Sequence, residues 1–158
     1  MTHISDRLAA DLRAALAAEA ASAVRYTYFA HTAEIEGHSE VARLFGELAD
    51  SLVCAAHGHL DVLRDTDSEN AGRQDGVGDS RLNLASSVVA ALHDAGDLYP
   101  RLTSAALEEG QADTASWLST LTALKKGHTA RLQAALDDLT RTSGEQHDAA
   151  LIPGGADE

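Results

Sequence analysis

Residues 121–139 read LTALKKGHTARLQAALDDL. Leu121, Leu132, Ala135 and Leu139 recur at helical spacing, so the stretch is an amphipathic helix with one apolar stripe. Lys125 and His128 fall inside that stripe, one turn apart, where polar side chains need partners. Each of the other long helical stretches has a corresponding position in its own stripe, and two of these are charged as well, Glu19 and Asp94.

Outward from this segment the same spacing marks four helices, at 5–36, 39–65, 80–109 and 111–140. Gly37 and Gly110 each follow acidic residues and precede a new polar start, which predicts glycine C-caps and two tight antiparallel hairpins. The Glu36-Gly37 and Glu109-Gly110 turns each follow a helix bearing a Tyr and precede one bearing a His, so the two halves resemble one another. Between them, Thr66 to Ser80 is rich in Asp, Gly, Ser and Asn and long enough to run the length of a bundle. Two hairpins joined by one long crossover is the connectivity of an all-α, ferritin-like four-helix bundle. Pro100 lies inside the third helix and predicts a kink just past Tyr99. The expected division is a bundle over 1–140 and a disordered tail over 141–158.

Composition narrows the function classes. The 158 residues contain 44% hydrophobic but only 4% aromatic side chains, which suits an Ala/Leu-rich bundle with a single core. The formal charge of -13 argues against nucleic acid, whose phosphates must be met by clustered Lys and Arg. No apolar run approaches the ~20 residues that span a bilayer, and no signal-like start is evident, so a soluble cytoplasmic protein is expected. Cys54 is the only cysteine, so these residues cannot build a disulfide, a Cys-rich zinc site or a four-cysteine rubredoxin-type iron centre.

The motifs Arg25-Tyr26-Thr27-Tyr28-Phe29-Ala30, Glu36-Gly37, Leu44-Phe45, Gly58-His59-Leu60-Asp61, Asn83-Leu84, Tyr99-Pro100, Glu108-Glu109-Gly110 and His128 resemble the rubrerythrin family of ferritin-like proteins. The resemblance covers residues 8–139 and implies a divergent member without a rubredoxin domain. It also implies a di-iron site with carboxylates from all four helices and a Glu-x-x-His pair on the second and the fourth. Carried over residue by residue, the first-helix glutamate is Glu19 and its neighbouring tyrosine is Tyr26. The second-helix Glu and His positions are Leu52 and Ala55, neither able to bind metal. On the third helix the glutamate positions are Ala91 and the shortened Asp94, with Tyr99 retained. On the fourth helix the Glu position is Lys125, while the His is His128.

An ammonium ~4 Å from a divalent ion would repel it by roughly 8 kcal/mol at an effective dielectric of 20. The same ammonium offers Glu19 and Asp94 a counter-charge without metal. The expectation is therefore a degenerate, metal-free site in which a buried Lys125 bridges Glu19 and Asp94, with His128, Tyr26 and Tyr99 completing a hydrogen-bonded network. Leu52, Ala55 and Ala91 would line a cavity beside it, open to a small-molecule ligand acted on by lysine and acid–base chemistry.

Two other readings stay open. One is a non-catalytic structural or interaction protein with a salt bridge at the former metal site. The other is a residual oxidoreductase holding one iron or manganese on Glu19, Asp94 and His128. The family's usual peroxide reduction ranks below both, since it needs two irons and an electron donor. No cofactor is expected on the leading reading, and the resemblance implies a homodimer, with no nucleic acid and no membrane as partners. His59 reads as a packing histidine, His57 and His93 as solvated, and Cys54 as a small buried side chain.

Overall fold

The computed structural model describes residues 4–67 and 77–150. Most of the crossover and residues 151–158 lie outside the described residues. The chain falls into two compact units, one carrying the first two helices and the other the rest. Each is a helical hairpin, and no strand occurs among the described residues.

In the first unit, α1 runs Asp6–Ile35 and α2 runs Ser39–Asp67. Ser5 caps α1, its hydroxyl accepting from the Leu8 N–H at 3.2 Å and satisfying one of the free donors of the first turn. At the other end Gly37 takes φ +82°, a conformation that costs glycine nothing. The Gly37 N–H donates to Glu34 O at 3.1 Å and the His38 N–H to Ala33 O at 2.8 Å, the Schellman arrangement that reverses the chain into α2. The seam is built on small side chains: Ala9, Ala23 and Ala33 on α1, and Ala42, Ala49, Ala56 and Leu63 on α2, are buried. The four on α2 recur every seventh residue, as in a coiled-coil seam. Toward the turn, Phe45 of α2 packs against Phe29 and Tyr26 of α1, at ring separations of 5.4 and 5.6 Å.

The second unit contains α3 (Ser80–His93), a π turn (Asp94–Leu98), α4 (Tyr99–Glu108) and α5 (Ala112–Ala150). Asp79 caps α3 by accepting from the Leu82 N–H at 2.8 Å. The turn into α5 repeats the first: Gly110 has φ +72°, its N–H donates to Leu107 O at 3.0 Å, and the Gln111 N–H donates to Ala106 O at 2.8 Å. Both predicted glycine caps are thus present with the same hydrogen-bond pattern.

Two boundaries differ from expectation. The disturbance at Pro100 precedes Tyr99 instead of following it, because the missing proline N–H and the ring both act on carbonyls of the preceding turn. The last helix continues beyond the predicted limit at 140 to Ala150, with Arg141 pairing with Asp138 on its surface.

Within the second hairpin, α5 buries Ala115 and half-buries Leu118, Thr122, Lys125, Thr129, Leu132, Leu136 and Leu139. These steps of three and four residues form a seam against α3 and α4. Leu121 is half-buried beside the seam, while His128 and Ala135 are exposed. The seam that faces α3 and α4 therefore shares Lys125, Leu132 and Leu139 with the stripe expected from sequence, and Leu121, His128 and Ala135 lie to one side of it. No helix among the described residues is long and apolar enough to cross a membrane.

Candidate functional site

Lys125 sits on the inner seam of α5, and directly across from it α3 passes into the π turn at Asp94. The Lys125 Nζ donates to Asp94 Oδ2 at 2.8 Å, a charge-assisted hydrogen bond between side chains 28% and 21% exposed. The same ammonium lies 5.6 Å from the centroid of the Tyr99 ring, within cation–π range. Lys125 is half-buried, not buried. Its head reaches the Asp94 carboxylate while part of the side chain stays in contact with solvent.

The hydrogen bond to Asp94 raises the Lys125 pKa above its ordinary 10.5; partial desolvation opposes this, and the charges of Asp94 and Tyr99 add to the rise. Lys125 is therefore a cation at neutral pH, suited to donating a proton or holding negative charge and unsuited to attack as a free amine.

The remaining candidates are distributed as follows. Ala91 is buried on α3, one turn before Asp94. His128 stands exposed on α5, just off the seam that holds Lys125. Glu19, Tyr26, Leu52 and Ala55 belong to the first hairpin. Glu19 and Leu52 are half-buried there, Ala55 is exposed, and the half-buried Tyr26 ring packs on Phe29 and Phe45. Among the described residues no three His, Cys, Asp or Glu side chains converge in a metal-holding group.

His57 and His93 are exposed and His59 is half-buried. Cys54 is exposed, against the expectation of a buried thiol, since it lies away from the Ala49–Ala56–Leu63 seam. A groove of about 430 Å³ runs between α1 and α2, lined by Thr27, Ala30, His31, Ala42 and Gly46 among others. None of Leu52, Ala55 or Ala91 lines it. A residue not singled out from the sequence is Thr129, half-buried on this seam, whose hydroxyl bonds back to the Lys125 carbonyl at 3.0 Å.

The rubrerythrin family model matches residues 11–136, most of the chain. The chain belongs to the rubrerythrin family. Rubrerythrin-1 of Clostridium acetobutylicum is 27% identical over 139 residues, a span covering 84% of this chain and 71% of that protein. Nigerythrin of Nitratidesulfovibrio vulgaris is 27% identical over 134 residues, covering 82% of this chain and 65% of its own length, just under two thirds. Membership of the rubrerythrin family makes the two hairpins those of a ferritin-like bundle and gives the all-α architecture its evolutionary context.

Proposed function

We propose that this is a metal-independent member of the rubrerythrin family, in which the Lys125 ammonium takes the place of the metal cation and forms, with Asp94 and Tyr99, a site for a small acidic molecule. The observation that carries this reading is the 2.8 Å bond from Lys125 to Asp94. A carboxylate that the family resemblance assigns to metal is here bound to a fixed positive charge. The donor set does not fit a dinuclear iron centre. Leu52, Ala55 and Ala91 offer no ligand atoms, and an ammonium stands at a fourth ligand position. The raised Lys125 pKa favours a proton donor or anion partner over a Schiff-base nucleophile.

A second reading has its own support. The Lys125 head is already covered by Asp94 and the Tyr99 ring, which suits a structural salt bridge with no ligand. Metal analysis after purification from iron- and manganese-supplemented cultures tests both against the metalloprotein, and a stoichiometric ion retained through gel filtration would overturn both. Titration with small carboxylates, followed by NMR at the Lys125 side chain, separates the two. A saturable shift lost in Lys125→Met supports the binding site, and no shift supports the structural pair.

Assembly as a homodimer belongs to the same proposal. The first hairpin buries mainly alanine and leaves Val24, Tyr28 and Ile35 at 72%, 68% and 88% exposure, apolar surface that a second copy would cover. Sedimentation equilibrium tests it, and a monomer at micromolar concentration would refute it.

A further inference from the structure

Asp94 and Tyr99 are separated by five positions. On a regular α-helix, at about 100° per residue, their side chains would diverge by about 140° and could not share one partner. Both nevertheless meet Lys125, Asp94 by a 2.8 Å hydrogen bond and Tyr99 by its ring at 5.6 Å. The segment Asp94–Leu98 reconciles the two contacts. It is π-helical, and the Tyr99 N–H donates to Asp94 O, five residues back, where an α turn would use Ala95. One extra residue in the turn stacks position i over i+5, as an α turn stacks i over i+4.

Pro100 follows immediately, in the first turn of α4. In an unbroken α-helix its ring would run into the Gly96 carbonyl, and it has no N–H with which to bond that carbonyl. The wider turn relieves both conflicts. Crowding at Gly96 is not the cause, because a Cβ built there meets nothing within 4 Å.

We propose that Pro100 is the positioning residue of the Lys125 site. By favouring the π turn over a continuous α-helix, it brings the Tyr99 ring over the ammonium that Asp94 holds. This deepens the Lys125 reading given above and rests on it for its purpose; carboxylate titration tests that reading, whereas the following experiment reads the geometry with no ligand present.

The probe is the ring-current displacement of the Lys125 ε-methylene resonances, measured by ¹H–¹³C NMR on the full chain. Tyr99→Leu defines the value without the ring. Pro100→Ala, with folding verified by circular dichroism, is expected to lose most of the displacement as the segment relaxes to α-helix and Tyr99 turns away. Deleting Gly96 in the Pro100→Ala background returns Asp94 and Tyr99 to an i, i+4 relation, and the displacement is expected to reappear. A purely structural proline would lower the melting temperature and leave the Lys125 resonances where they are. Full displacement in Pro100→Ala, or its continued absence in the folded double variant, overturns the proposal.

Discussion

Asp94 and Lys125 lie 31 residues apart in the chain, yet their charged atoms are 2.8 Å apart. One stands where α3 gives way to the π turn and the other on the inner seam of α5, so the bond ties the irregular turn to the longest helix of the hairpin. Because both side chains keep some solvent contact, their coupling exceeds that of a surface pair only modestly. A double-mutant cycle of Lys125→Met and Asp94→Asn, followed by urea denaturation, is expected to give a coupling of about 1 kcal/mol. A value within error of zero would show the pair to be ornamental.

The pH dependence of this contribution has a definite sign. Lys125 has a folded-state pKa above the ordinary 10.5, so its contribution is fully present below the unfolded value and is lost as pH rises through the folded one. The stability difference between the parent protein and Lys125→Met should therefore be flat from pH 6 to 9 and shrink above about pH 10. A difference that shrinks between pH 6 and 8 would point to another titrating group as its source.

Metal binding should be recoverable if the ligand positions have been assigned correctly. Leu52→Glu, Ala55→His and Lys125→Glu together restore one Glu-x-x-His pair and the glutamate of the other, beside the existing His128. On the family pattern, which assigns these positions to one centre, this triple variant is expected to bind iron measurably, while Leu52→Glu with Ala55→His alone should bind at least tenfold more weakly, since an ammonium would remain to repel the ion. Equal iron content in the two would contradict the role given to Lys125.

The hairpin turns offer a test independent of the site. Gly37 and Gly110 occupy φ of +82° and +72° with open space around them, so alanine there is opposed by backbone conformation and not by crowding. Gly37→Ala and Gly110→Ala should each cost about 1 kcal/mol, read from denaturant midpoints with unchanged slope. Gly46→Ala, mid-helix with open space at its Cβ, should instead stabilise by up to about 1 kcal/mol.

The helices, their glycine C-caps and both hairpin turns were legible because each rests on neighbours in sequence. Spacing of three and four residues specifies an amphipathic helix, and a glycine after the last helical residue specifies how it ends. The motifs about Tyr26, Tyr99 and His128 likewise pointed to the family that the match over residues 11–136 establishes. The site was legible only in part. Leu121, His128 and Ala135 offered one phase for the stripe on α5, and Thr122, Thr129 and Leu136 offered another, with Lys125, Leu132 and Leu139 common to both. Hydropathy does not separate them, since Leu121 outranks Thr122 while Leu136 outranks Ala135. The hairpin adopts the second, because threonine packs in a helical seam once its hydroxyl bonds to its own helix, as those of Thr122 and Thr129 do to Leu118 and Lys125.

Sequence by itself therefore determined the all-α class, the pairing of helices into hairpins and the unusual presence of a lysine on an inward-facing stripe. Tertiary structure decided which edge of that stripe faces α3 and α4, and that the lysine is half-buried with Asp94 as its partner. It also decided that Pro100 is accommodated by a π turn ahead of it and not by a kink behind. The division follows from range. Caps and helical period are set by residues a few positions apart, whereas the partner of Lys125 and the register of Tyr99 depend on how two segments thirty residues apart are laid against each other.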